Sequence, residues 1–409
     1  MTRKSSPRIG LALAGGGPLG AIYEIGALCA LEESLSGLDF NDCDSYIGVS
    51  AGGFIAAGLA NGMTPRELCA SFIENVGAAH DIFEPSLLIR PAWGEFAWRL
   101  STLPGLAAEA ALRYAFTRRS LAGTVERLGR ALPTGLLSNE MIDAQLRRQF
   151  AAPGRTNDFR ELKRKLVLVA TDLDSGESAP FGQPGFDHVP ISKAVQASAA
   201  LPGLFPPVEI DGHFYVDGAL KKTLHASVLL DEGLDLLICL NPLVPFDSTR
   251  SQRPRVLSRG DARIPRLIDG GLPVVLSQTF RTLIHSRLEL GMKGYERSHP
   301  ETTIVLFEPD QRDPAMFLAN TFSYAQRRAL AEHAYQQTRQ MLRTRRGVLA
   351  RQLAPHGVTV NSALLDQPRR KLLGPATTQR SGRHSAGQAL RRLEAVLDDL
   401  DQVLVERAA

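Results

Sequence analysis

"LALAGGGPLGAIYEIGAL", Leu11 to Leu28, decides how the rest of the chain is read. An apolar run enters a glycine cluster and leaves as an amphipathic helix. Gly15, Gly17 and Gly20 fit G-x-G-x-x-G, a turn that seats a dinucleotide pyrophosphate at a helix N-terminus. That reading needs an acid about twenty residues on, at the carboxyl end of the second strand. Asp39, Asp42 and Asp44 have roughly that distance, but they precede the strand SYIGV (45–49). The loop is therefore expected to hold a negative charge of another kind.

At the carboxyl end of SYIGV stands Gly48-Val49-Ser50-Ala51-Gly52, followed by the helix-forming run AGGFIAAGLA (51–60). This is G-x-S-x-G between a strand and a helix. So tight a turn strains the serine backbone and projects its hydroxyl above the sheet. Gly48 and Gly52 leave room for neighbouring chain, and the helix N-terminus favours negative charge near Ser50. Ser50 is the candidate nucleophile. Acyl transfer also needs backbone donors aimed at the oxygen that becomes negative. Gly15, Gly16 and Gly17 carry no side chains to obstruct their N–H groups, and Gly20 supports the turn. First and second strands adjoin in most doubly wound sheets, so the loop and the serine should sit together.

A serine hydroxyl needs a base. Asp217 in HFYVDGAL ends a short strand and is followed by Gly218. Burial would raise its pKa from about 3.9 and let it act as base in a Ser-Asp dyad. The competing reading makes Asp217 a turn residue before glycine. His225, His285 and His299 follow Ser50 and could complete a Ser-Asp-His order, but none sits in a motif.

The 409 residues are 44% hydrophobic and 22% charged, within the range of ordinary globular proteins. Four cysteines without a C-x-x-C pair suggest neither a disulfide framework nor a zinc site, and point to a reducing compartment. The N-terminal MTRKSSPRIGLALAGGG has only the outline of a signal peptide, because its apolar part is short and runs into the glycine loop. No stretch approaches a membrane span, so a cytoplasmic or peripheral membrane location is expected. Strands are expected at 9–14, 45–49, 165–173, 213–218, 234–242 and 302–309, with helices at 19–35, 51–60, 191–200 and 323–353. That alternation predicts a mainly parallel sheet covered on both faces.

Residues 80–135 interrupt the alternation with both tryptophans, Trp93 and Trp98, and with Phe96, Tyr114 and Phe116. They read as a helical insert with its own aromatic core, or as an apolar cover over a lipid-sized site. The net charge of +4 is uneven. Residues 341–385 hold nine Lys/Arg against Asp366 alone, which gives +8. This reads as a solvated linker, with attraction to an anionic surface as the alternative. In 386–407, Leu390, Leu393, Leu397, Leu400 and Leu404 form one helical stripe, suited to the body or to a partner helix in a homo-oligomer.

AGGGPLG (14–20), GVSAG (48–52), ATDLDSGE (170–177) and QASAALPGLFPPVEIDGHFYVDGAL (196–220), which contains DGA, occur in the order of a known family. From about Ile9 to Leu243 the chain resembles the patatin-like phospholipases, lipid acyl hydrolases with a Ser-Asp dyad. The resemblance implies a three-layer α/β/α fold with a helical C-terminal extension. It implies Ser50 as nucleophile, Asp217 as its base, and Gly15, Gly16 and Gly17 as the oxyanion loop. No metal or organic cofactor is expected, nor a nucleic-acid partner; the implied substrate is a phospholipid, lysophospholipid or neutral lipid ester. The organisation that follows is an acyl hydrolase domain over 1–340, a basic linker over 341–385 and a terminal helix over 386–409. Leu19 stands where the family commonly has a basic residue, and Lys221, Lys222 and Thr223 stand where small polar residues and proline are more usual. The alternatives are a non-catalytic membrane-lipid-binding protein, a small-ester hydrolase and a dinucleotide-dependent oxidoreductase.

Overall fold

A computed structural model describes residues 6–78, 80–83, 90–117, 131–249, 266–317, 319 and 326–374. The described strands are β1 (Ile9–Leu13), β2 (Leu35–Ser36), β3 (Ser45–Val49), β4 (Lys165–Asp172), β5 (Ser178–Phe181), β6 (Val208–Ile210), β7 (His213–Asp217), β8 (Leu236–Leu240), β9 (Thr303–Phe307) and β10 (Thr359–Val360). Eight of them make one sheet along the path β6-β7-β4-β3-β1-β8-β9, with β5 also on β4. The pairs β4–β3, β3–β1, β1–β8 and β8–β9 are parallel. The expected mainly parallel α/β sheet is therefore present. β5, β6 and β7 add antiparallel pairs beside it.

Burial follows from composition. β1, β3 and β8 carry no charged side chain, and every residue from Gly10 to Leu13, Ser45 to Val49 and Leu236 to Leu240 is buried. Both faces of these central strands must then be covered. On one face Ala12, Ile47, Val167, Leu237 and Cys239 pack with Leu229, Ile284 and Leu288. Helix α1 (Gly17–Ser34) follows the glycine cluster and is buried along most of its length. It crosses the helix Arg327–Thr344 at Gly26, where a Cβ would stand 2.5 Å from the Ala331 carbonyl oxygen. Helix α2 (Ala51–Ala60) has no charged residue and packs beneath β3 with seven buried residues.

The chain divides into two compact units. The first holds the sheet and consists of residues 1–89, 139–201 and 207–372. The second comprises 90–138, 202–206 and 373–409. Within it the helix Trp93–Thr117 contains Pro104, and Trp93 and Trp98 are 47% and 49% exposed. Gly135 bridges Gly203, and the Thr134 amide donates to Glu95 at 3.0 Å.

The linker expected from residue 341 does not describe residues 341–374. These form the end of the helix Arg327–Thr344, the helix Arg346–Leu353, β10 paired with β2, and a turn of helix at Ser362–Leu365. Leu349, Leu353, Val358 and Leu365 are fully buried or nearly so. The basic side chains here bind the body: Arg343 donates to the Leu365 carbonyl at 2.9 Å, and Arg370 to Glu33 at 2.6 Å. The remainder of that segment and the leucine-striped 386–407 lie outside the described residues. The sequence reading assigned nothing to 271–298, which forms a single helix of 28 residues.

Candidate active site

The site is built on β4. A residue in a strand has two edges, and β5 takes one of them from Leu168 to Thr171. On the other edge Gly48 and Val49 of β3 pair with Leu168 and Val169, and Asp217 of β7 then pairs with Ala170. β7 thus meets β3 end to end along β4. Ser50 leaves β3 one residue after Val49, so it arrives beside Asp217.

Ser50 caps α2 with φ 53° and ψ −122°, a backbone conformation that side-chain-bearing residues seldom adopt. The neighbouring glycines allow it. A Cβ on Gly52 would lie 2.4 Å from the Leu13 carbonyl oxygen, and one on Gly48 would lie 2.5 Å from the Gly53 Cα. The Ser50 amide donates to Ser198 Oγ at 2.8 Å, and the Ser198 hydroxyl donates to the Val169 carbonyl at 2.6 Å. Two residues on, the Ala200 carbonyl accepts from the Asp217 amide at 3.0 Å. The end of the helix Ile191–Ser198 therefore ties both the serine and the aspartate to the sheet. The sequence reading gave Ser198 no role, although it lies within the QASAALPG block.

Ser50 and Asp217 stand at adjacent rungs of β4, since Val49 pairs with Val169 and Asp217 with Ala170. Ser50 is 6% exposed and Asp217 3%. Burial pushes the Asp217 carboxyl up to about 6; the nearby Ser50 hydroxyl and the hydrogen bond from the Ala219 amide, at 2.9 Å, oppose the rise. A carboxylate in such surroundings is a stronger base than one in water. Gly218 has to be glycine, because a Cβ there would stand 2.2 Å from the Val169 carbonyl oxygen.

The glycine loop closes the third side. A Cβ on Gly15 would lie 3.0 Å from Ser50 Cβ and 3.3 Å from Ala219 Cβ. Gly16 caps α1, and Gly17, at φ 60°, starts it. Gly16 and Gly20 press on Pro242, at 2.8 and 3.0 Å from their Cβ positions. First-turn amides of a helix have no partner within the helix, so they are available to an anion. Leu19 is 5% exposed and packs as a core residue of α1, so it brings no charge to the loop. Lys221 pairs with Glu177 at 2.6 Å, while Thr223 is buried and donates to the Ile284 carbonyl at 2.9 Å.

The histidines are engaged elsewhere. His225 Nε2 donates to the Gly218 carbonyl at 3.1 Å, and burial pushes its pKa down to about 4. His285 lies 3.5 Å from Glu308, and His299 3.3 Å from Asp231. Among the described residues no group of three or more His, Cys, Asp or Glu could hold a metal ion. The acid required for a dinucleotide is at the wrong end of the sheet: Asp44 accepts from the Ile9 amide at 2.7 Å, where β1 begins, whereas the glycine loop follows its end.

Residues 11–230 match the family described as patatin-like phospholipase. Uncharacterized NTE family proteins from Mycobacterium bovis and Mycobacterium tuberculosis are 31% identical over 83 residues, 20% of this chain and 22% of theirs. The match thus spans less than a quarter of those relatives. Among solved structures, VipD from Legionella pneumophila is 17% identical, with a TM-score of 0.36 over 83% of this chain and 67% of that one. The type III effector protein ExoU is 14% identical, with a TM-score of 0.34 over 83% of this chain and 53% of that one. The family match takes in the glycine loop, the Ser50 turn and Asp217, and covers more than half of the sequence; the chain belongs to the patatin-like phospholipase family.

Proposed function

We propose that this protein hydrolyses fatty acyl esters of lipids through a serine acyl-enzyme, with Ser50 as nucleophile and Asp217 as its base. The burial of both side chains at adjacent rungs of β4, beside the glycine loop, carries the reading. Ser50 Oγ attacks the acyl carbonyl as its proton passes to Asp217. The carbonyl oxygen takes the negative charge, facing the amides of Gly15, Gly16 and Gly17. As the tetrahedral species collapses, protonated Asp217 returns the proton to the departing alcohol. A water molecule, deprotonated by the same carboxylate, then attacks the acyl-enzyme; Asp217 returns that proton to the departing Ser50 Oγ as the fatty acid is released. Loss of the loop donors is expected to lower turnover by about 10²–10³.

The departure at Leu19 bears on the headgroup rather than on ester cleavage, since an apolar side chain supplies no contact for a phosphate. A small soluble ester would be cleaved by the same machinery, so chain-length preference separates a lipid hydrolase from a general esterase. Labelling with a fluorophosphonate followed by peptide mapping tests the class. The label is expected on the Ser50 peptide, absent in Ser50→Ala, with fatty acid released from lipid ester only by the parent. A label elsewhere, or undiminished turnover in Ser50→Ala, overturns the proposal.

A further inference from the structure

The helix Gly271–Ser298 connects β8 to β9 and is far longer than the sheet it crosses. At about 1.5 Å per residue it measures roughly 42 Å, against about 17 Å for a five-residue strand. Its C-terminal end is held at the amino edge of the sheet. There the Thr302 hydroxyl donates to the Leu234 carbonyl at 2.7 Å and the Thr303 amide to Asp235 at 2.9 Å. Its middle is held beside the candidate site: Thr223, six residues after Asp217, donates to the Ile284 carbonyl, and Arg287 donates to the Leu220 carbonyl. Gln278 exchanges two hydrogen bonds with the Phe246 backbone, at 2.9 and 3.1 Å. The thirteen residues before Ile284 therefore run about 20 Å further along, past the sheet edge that carries Ser50.

One face of the helix is apolar and open, while Gln278 and Arg281 hold the other to Phe246 and Val244. Leu272, Leu276, Phe280, Leu283 and Leu290 are 43% to 68% exposed, whereas only Ile284, His285 and Leu288 of the helix are buried. At about 100° per residue the five fall within one arc of roughly 80°, and the buried three occupy the neighbouring arc beyond Phe280. Arg287 lies within that arc and Arg297 about 20° outside it. The only acids of the helix, Glu289 and Glu296, lie about 80° or more outside it. Residues 271–280 hold no charge at all.

The geometry points to an anionic lipid bilayer as the occupant of this face. The leucines and Phe280 enter the interface, and the arginines meet lipid phosphates. Three observations favour a bilayer: the stripe runs past the sheet edge that carries Ser50, the charges beside it are cationic, and residues 271–280 are uncharged. The inference rests on the lipid-ester reading above for its purpose, but binding can be measured without turnover.

The experiment is co-sedimentation of the full-length Ser50→Ala chain with vesicles of phosphatidylcholine, or of equimolar phosphatidylcholine and phosphatidylglycerol. The Leu276→Glu/Phe280→Glu variant is run beside it. Binding is expected, stronger to the mixed vesicles, and about tenfold or more weaker in the variant, because each large apolar side chain kept out of the interface forfeits roughly that factor. In the Ser50-containing background the same pair is expected to reduce vesicle lipid hydrolysis while leaving soluble nitrophenyl ester hydrolysis and the thermal midpoint unchanged. Leu276→Ser provides a milder second variant, with a smaller loss. Equal binding by parent and variants, or no binding by the parent, overturns the inference. So does a dimer in solution that the substitutions split into monomers without altering vesicle binding. Should soluble esters go uncleaved while vesicles are still bound, the hydrolase reading fails and the docking face stands.

Discussion

Asp217 carries most of the chemistry that burial creates. An ordinary aspartate is almost wholly ionised at pH 5 and is a poor acceptor; enclosure beside Ser50 brings its pKa up to about 6. In the proposed mechanism Asp217 accepts a proton only when ionised. The rate of kcat/KM against pH is therefore expected to climb through about 6 and level off above it, and a profile that is flat from pH 4 to 8 would remove Asp217 from the mechanism. Linkage runs the other way for stability: the folded state holds this proton more tightly than the unfolded chain, so Asp217 costs stability as pH rises from its usual 3.8 towards 6. Ser198 acts at the same scale without touching a substrate. Its hydroxyl links the Ser50 amide to β4, so Ser198→Ala is expected to lower kcat by about tenfold to a hundredfold at nearly constant KM, with partial rescue in Ser198→Thr. A proportional change in KM alone would assign Ser198 to the fold.

At the scale of elements, two close approaches separate stability from activity. At Gly26, α1 meets the helix Arg327–Thr344, and an added methyl would press on the Ala331 carbonyl oxygen. At Gly52, α2 meets the end of β1, and the methyl would press on the Leu13 carbonyl oxygen. Each substitution to alanine is expected to cost about 1–3 kcal/mol in thermal or denaturant unfolding. Gly26→Ala should keep the fluorophosphonate labelling rate of the folded protein, because its strain is taken up between two helices away from Ser50. Gly52→Ala should lose it, because moving α2 moves the nucleophile. Equal labelling in both would show that the Ser50 turn tolerates displacement.

Across the whole molecule, what the sequence discloses is what short stretches of chain determine. The strand–glycine–helix pattern around Gly15 and Ser50 is local, and the strands 45–49 and 165–172 and the helix 51–60 stand where apolar runs and glycines place them. Asp217 could be singled out because a glycine follows it at the end of a strand. Ser198 could not, since its partners Ser50 and Val169 are remote in sequence and a serine near a helix end is unremarkable in itself. Residues 341–374 look like linker from their charge. Yet guanidinium groups there donate to carbonyls at Leu365 and Leu306 and pair with Glu33, and a count of charges is blind to such partners. The helix Gly271–Ser298 spreads its apolar residues over two adjoining arcs, so no narrow stripe announces it.

The rungs of β4 set the proposed nucleophile and base side by side: Val169 takes Val49, which precedes Ser50, and Ala170 takes Asp217. Proximity is thereby encoded in neighbouring peptide units of one strand, not in the length of polypeptide separating nucleophile from base. Loops joining those strands are at liberty to lengthen, shrink or be exchanged with the distance between hydroxyl and carboxylate preserved. A single-residue deletion inside 165–172 would have no such latitude, for it would slide one partner past the other.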